Sequence, residues 1–199
     1  MKLLACLAAI AIAAPVVSRG QEVHGPDTYL VGKLGVISPQ HDDLQGFDTG
    51  LAFEADLGFR VHPNLALEAG IGYWRSTGSQ SGIVAPGVFV TADAEISAIP
   101  VTLSLKGILP VGKLDVFGLA GAGMYFVSGS VTVRGGVSGH ASDSGNAFGM
   151  HLGGGIAGHV TPQATLGVEV RYIFAKVRMF DANNGLDSFI AQGFLGWSF

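Results

Sequence analysis

The residues best suited to chemistry in this 199-residue chain are charged side chains set two positions apart. Glu54 and Asp56 are separated by one residue, as are Glu169 and Arg171; Arg60, Glu68 and Lys106 stand singly in apolar stretches, and His151 and His159 flank a glycine-rich run. A spacing of two places both members of a pair on one face of a β-strand. Carboxylates facing Arg and Lys in that way make either a proton or ion path or a network of buried ion pairs. Other signals are weaker. His41, Asp42, Asp43 and Asp181 have cation-binding side chains but read as solvated loop charge. Gly153 to Gly158 fits the pattern G-x-G-x-x-G, yet it lies in a strand-like stretch with no helix to follow, so the glycines read as points of close packing rather than a phosphate cradle. No Cys and His set has zinc spacing, so neither a metal nor a cofactor is expected.

The elements that must hold these residues are strands. Leu51, Phe53, Ala55, Leu57, Phe59 and Val61 alternate with Ala52, Glu54, Asp56, Gly58 and Arg60. Beyond His62-Pro63-Asn64 the pattern resumes with Leu65, Leu67, Ala69, Ile71 and Tyr73. This is a hairpin with a tight turn. The same period of two runs through residues 99–106, 148–159, 165–174 and 188–199, and more weakly through 29–38 and 114–127. The count is eight strands of ten to fourteen residues. Three connections are short (62–64, 107–113, 161–163) and four are long (39–48, 75–95, 128–146, 175–187), the asymmetry of a membrane barrel with turns on one side and loops on the other. Pro100 removes a ladder donor, which predicts a bulge.

Composition agrees with a membrane location. The chain is 48% hydrophobic and 13% charged, against about a quarter charged in an average soluble domain, and its mean hydropathy is +0.45. Thirty-one glycines argue against helical spans. Residues 116–133 are uncharged, but one helix there would leave every amphipathic strand unexplained.

Residues 1–20 read as an export signal: Lys2, then an apolar core from Leu3 to Ala14, with cleavage expected after Ala13 or Gly20. The remaining 21–199 form the single expected domain. It holds nine basic and fifteen acidic residues, an acidic balance that excludes nucleic acid as a partner. Cys6 lies in the signal; a lipoprotein box at Leu3 to Cys6 would leave too short an apolar core.

Alternation alone does not say which face meets water. The polar face decides it, because it is mostly Gly, Ala, Ser and Thr with few charges, which suits a cramped lumen. The other face carries no charge, as a lipid contact requires. Tyr73, Trp74, Tyr125, Phe126, Tyr172 and Trp197, near strand ends, are expected to form interfacial girdles.

The turn Val61 to Leu65, the segment Ile99-Pro100-Val101 leading to Leu103, the run Gly121 to Tyr125 and the ending Gly196-Trp197-Ser198-Phe199 together resemble the bacterial outer-membrane β-barrel domain family. That family includes the OmpA-like, OmpX-like and OmpW-like eight-stranded barrels, and the resemblance spans residues 27–199. It implies an all-β, closed, antiparallel up-and-down barrel in the outer membrane, with outer-membrane lipids as surroundings. It also implies an assembly signal in Leu195, Trp197 and Phe199 that the barrel-assembly machinery reads; Gly193 fits this pattern less well. His140-Ala141-Ser142 is similar to the His-x-Ser motif of outer-membrane lipid A deacylases, but the next acid after Asp143 is Glu169, too far downstream for the carboxylate those enzymes need. The expectation is therefore a non-enzymatic structural or surface-interaction protein whose loop ligand is not legible. Glu54, Asp56, Arg60, Glu68, Lys106, His151, Glu169 and Arg171 would fill its narrow lumen. A small channel is the alternative, and a lipid-modifying enzyme a more distant one.

Overall fold

The computed structural model describes residues 28–40, 47–85, 88–135, 138–179 and 182–199. The expected signal at 1–20 and the loop residues His41, Asp42, Asp43 and Asp181 lie outside them. Nine strands follow one another: β1 (Thr28–Pro39), β2 (Gly50–His62), β3 (Leu65–Ala85), β4 (Val88–Val111), β5 (Leu114–Gly135), β6 (Gly139–His159), β7 (Ala164–Met179), the four-residue β8 (Ala182–Gly185) and β9 (Ser188–Ser198).

Strands β1 to β7 pair antiparallel in chain order, and β9 pairs with both β7 and β1. Eight strands thus form a closed hydrogen-bonded ring, while β8 pairs with β7 alone. Closure satisfies the backbone internally, which hydrocarbon demands. Along β2 the alternation is complete: Leu51, Phe53, Leu57 and Phe59 are exposed, whereas Ala52, Glu54 and Asp56 are buried. Among the described residues the buried apolar clusters lie in the lumen of the ring.

Four features differ from the sequence expectations. The described residues of 75–95 and 128–146 are mostly strand rather than loop: β3, β4, β5 and β6 run on as strands of 21 to 24 residues. The apolar outward face ends near Arg75 and Val127, but ladder pairing needs only backbone groups, and it continues through Ser79↔Asp93, Asp93↔Thr132 and Ser130↔Ser142. Similarly, the 107–113 connection shortens to Gly112 and Lys113 between Val111 and Leu114, with Gly112 at φ 65° making the reversal. No bulge forms at Pro100. The β3–β4 ladder lapses between Ile71↔Val101 and Trp74↔Ala98 and resumes in the same register. The proline ring turns inward opposite Gly72, where a Cβ would stand 3.2 Å from Pro100 Cγ. The register shift on β2 and β3 lies instead at Arg60 and His62. Finally, Trp74 and Tyr125 are no part of an interfacial girdle: each is 2% exposed and points into the lumen. Trp74 pairs with inward Ala52 and Tyr125 with inward Pro100, whereas Tyr73 and Phe126 stand on the opposite face. Tyr73, Phe126 and Trp197 do face outward, as does half-buried Tyr172.

Candidate functional site

The lumen is built in three layers. An apolar cluster fills the end nearer the long hairpins, with Ile37, Trp74, Ile96, Tyr125 and Ile190 at its centre and Leu186, from the β8–β9 connection, packed into it. A second cluster, including Val31, Ile108, Phe117, Leu119 and Phe194, fills the end nearer the short turns. Charged residues lie between them.

Lys33, from the weakly patterned first strand, is the hub of that polar layer. Its Nζ lies 2.7 Å from Asp56 Oδ2, 2.9 Å from Glu169 Oε2 and 3.7 Å from Glu54 Oε1. Arg171 completes the cluster, donating from Nη1 to both Glu54 oxygens at 2.9 and 3.1 Å and from Nη2 to Glu169 Oε1 at 2.6 Å. Lys33, Glu54, Asp56, Glu169 and Arg171 are all buried. Three carboxylates therefore share two cations, an arrangement stable only while every charge keeps its partner, because desolvating either sign is expensive.

Toward the turn end, Glu68 Oε1 accepts from Lys106 Nζ and from the Tyr29 hydroxyl, each at 2.8 Å. His151 Nε2 and Ser104 Oγ are 2.8 Å apart in the same buried interior. Glycine makes the crowding feasible: a Cβ at Gly58 would strike the Tyr29 ring, and one at Gly121 would stand 2.6 Å from His151 Nε2.

Of the residues singled out from sequence, Glu54, Asp56, Glu68, Lys106, His151, Glu169 and Arg171 are brought into this buried interior.

 Arg60 is not: it stands apart at the turn end, with its Nε buried and without a partner. His159 is at the rim as well, half-exposed and 2.9 Å from Asp115 Oδ2. Sequence reasoning passed over Lys33, Tyr29 and Ser104. The signal for Lys33 was its position as the lone charge of a strand whose register sets it opposite Glu54.

The remaining motifs stay separate. His140 and Ser142 lie exposed on the outer part of β6, where His140 Nδ1 is 3.1 Å from Thr132 Oγ1. Gly153 to Gly158 sits within β6, paired to β5 and β7 on its two sides. Among the described residues no group of three or more His, Cys, Asp or Glu is placed to hold a metal. At the carboxyl end Leu195, Trp197 and Phe199 face outward, and Phe199 N donates to Thr28 O at 3.0 Å, tying the last residue to the first strand.

A closed antiparallel ring with an apolar outer belt, charged residues confined to a side-chain-filled interior and short turns at one end defines an integral membrane β-barrel. The chain belongs to the outer membrane protein β-barrel domain family, whose model matches residues 3–199, and it is an integral protein of the outer membrane. No curated protein matches it in sequence. Among solved structures it is similar to Neisserial surface protein A, with 16% identity, 87% of this chain and 97% of that one covered, and a TM-score of 0.56. Ail, the attachment invasion locus protein of Yersinia pestis, shares 12% identity over 88% of this chain and 99% of its own, with a TM-score of 0.48. The outer membrane protease OmpT from Escherichia coli shares 13% over 77% and 65%, with a TM-score of 0.44. At these identities the likeness is one of fold.

Proposed function

We propose that the protein is a non-enzymatic structural and surface-interaction barrel that works through its outer end and conducts little through its lumen. The observation that carries this reading is the extension of β3 to β6 beyond the apolar belt. There the outward face of the strands bears Ser, Thr and a few charges, as at Ser79, Asp93, Glu95, Ser130 and Ser142, while the inward face carries small and apolar residues such as Ala92, Ala94 and Val131. About ten further residues per strand correspond to roughly 30 Å of ladder, a large ordered surface for a barrel whose interior is occupied by its own side chains. In the same reading the apolar belt is seated in outer-membrane lipids, and Leu195, Trp197 and Phe199 present the alternate apolar positions that the barrel-assembly machinery engages.

The test compares cells displaying the whole chain with cells displaying a version in which residues 77–93 and 129–144 are replaced by two-residue turns. Adherence to wells coated with extracellular-matrix proteins or glycans is the readout. The whole chain should adhere to at least one coating and the trimmed chain to none, with equal amounts of heat-modifiable barrel in the outer membrane. Equal adherence by both would contradict the reading.

A further inference from the structure

The turn end of the lumen, which faces the periplasm in this architecture, opens into a cavity of about 370 Å³. Its walls are rigid: Pro63, Pro110 and Pro162, one from the neighbourhood of each short turn, line it. Its floor is aromatic. Phe117 and Phe194 meet edge to face with centroids 5.9 Å apart, and Lys106 Nζ lies 4.1 Å from the Phe117 centroid. A largely apolar concavity of this size with a few convergent polar groups is the usual form of a small-molecule site.

The charges around it are unequally answered. Lys106 is neutralised by Glu68 at 2.8 Å, and Asp115 is engaged by His159 Nε2 at 2.9 Å. Arg60 also lines the cavity, yet among the described residues no ion pair or hydrogen bond engages it, and its Nε is buried without a partner. A guanidinium presents a planar fork of donors matched to carboxylate or phosphate oxygens, and a buried donor left unmade is costly. With Lys106, held by Glu68, and the two phenylalanines in its lining, the cavity suits a small bound molecule.

We infer that this periplasmic vestibule binds a small organic anion, an apolar body lying on Phe117 and Phe194 with a carboxylate or phosphate held by Arg60. The inference does not depend on what the outer end of the barrel contacts.

The test titrates three fluorinated probes, 4-(trifluoromethyl)benzoate, 4-(trifluoromethyl)phenyl phosphate and the neutral 4-(trifluoromethyl)benzamide, against the folded protein in zwitterionic phospholipid nanodiscs, read by fluorine NMR with empty nanodiscs subtracted. At least one anion should bind saturably, and about tenfold or more tighter than the amide. The tighter anion distinguishes a carboxylate from a phosphate source. Arg60→Gln should weaken the anion about tenfold and leave the amide unchanged, Arg60→Lys should restore part of the loss, and Ala157→Phe, which fills the cavity, should abolish binding of all three. Should Arg60→Gln fail to fold, Arg60→Lys and Ala157→Phe still decide the matter. No saturable binding above empty nanodiscs, equal affinity for anion and amide, or unchanged anion affinity in Arg60→Gln or Ala157→Phe would overturn the inference.

Discussion

Strands β3 to β6 pass through two regions that share one backbone ladder and differ in almost everything else. Within the belt, inward and outward positions have opposite character, so that Leu103 and Leu105 face out while Thr102, Ser104 and Lys106 are buried. Beyond it, the outward face turns polar while the inward face keeps small and apolar residues such as Ala94, Ile96 and Val131, and Arg75 with Glu95 at 2.6 Å forms an exposed ion pair. The contrast shows that backbone pairing builds the sheet and side-chain sidedness only records what surrounds it. An ion pair also changes meaning between the regions. In the lumen it satisfies charges that have no water, and on the outer extension it competes with water on nearly equal terms.

The sharpest way to break this comparison is to remove one cation from each region. Arg171→Ala leaves Glu54 and Glu169 short of a partner in a buried layer, and should destabilise the barrel by about 3 to 5 kcal/mol. Urea unfolding in micelles, followed by the loss of heat-modifiable mobility on unboiled gels, measures it. A loss no larger than that of an exposed pair would mean that the layer is hydrated and the comparison false.

A charge placed on the outer face tests sidedness next. Leu103→Arg should cost about 2 to 4 kcal/mol if that position lies near the bilayer midplane, whereas Ser79→Arg on the extension should stay within about 0.5 kcal/mol. Folding titrations of both variants in phospholipid vesicles give the two values, and equal costs would move the membrane boundary.

Deletion of Phe199 should have a smaller thermodynamic effect, about 1.5 to 3 kcal/mol of burial, but a disproportionate cellular one. Outer-membrane yield should fall far more than refolding in micelles. Unchanged cellular yield with a sharp loss of micelle stability would make the residue ordinary packing. A small effect is also expected for Arg75→Ala, within about 1 kcal/mol by the same urea assay.

How much of this was legible in the sequence follows from the same contrast. Where lipid and lumen impose opposite chemistry, as from Leu51 to Val61, period two reveals strand, face and register together. Beyond Arg75 and Val127 the outward face is Ser, Thr and charge and the inward face Gly, Ala and Val, so the apolar outward stripe disappears and the strands look like loops although their ladders continue. Trp74 was misplaced because aromatic type was weighed above parity, which alone puts it inside; Tyr125 lies in a stretch that is apolar or glycine on both faces, and only its register opposite Pro100 puts it inside. The polar layer was legible in its acids and in Arg171, which repeat at spacing two. Lys33 was harder to see because Gly32 and Gly35 blur the alternation of β1, and because its partners Glu54, Asp56 and Glu169 lie on two other strands, 21 to 136 positions away. Arg60 shares the inward parity of its strand but stands at the turn, where a position in sequence does not say how deep a side chain reaches.

The central claim is that the lumen is filled by its own side chains, with the protein acting from its surfaces. Single-channel recording of the folded protein in planar phospholipid bilayers at neutral pH tests it most directly. The account predicts little or no stable current, because an eight-stranded ring has room for side chains but not for a wide aqueous bore and the charges of Lys33, Arg171, Glu54, Asp56 and Glu169 pair across what remains. Reproducible large conductance steps would contradict it and establish a pore.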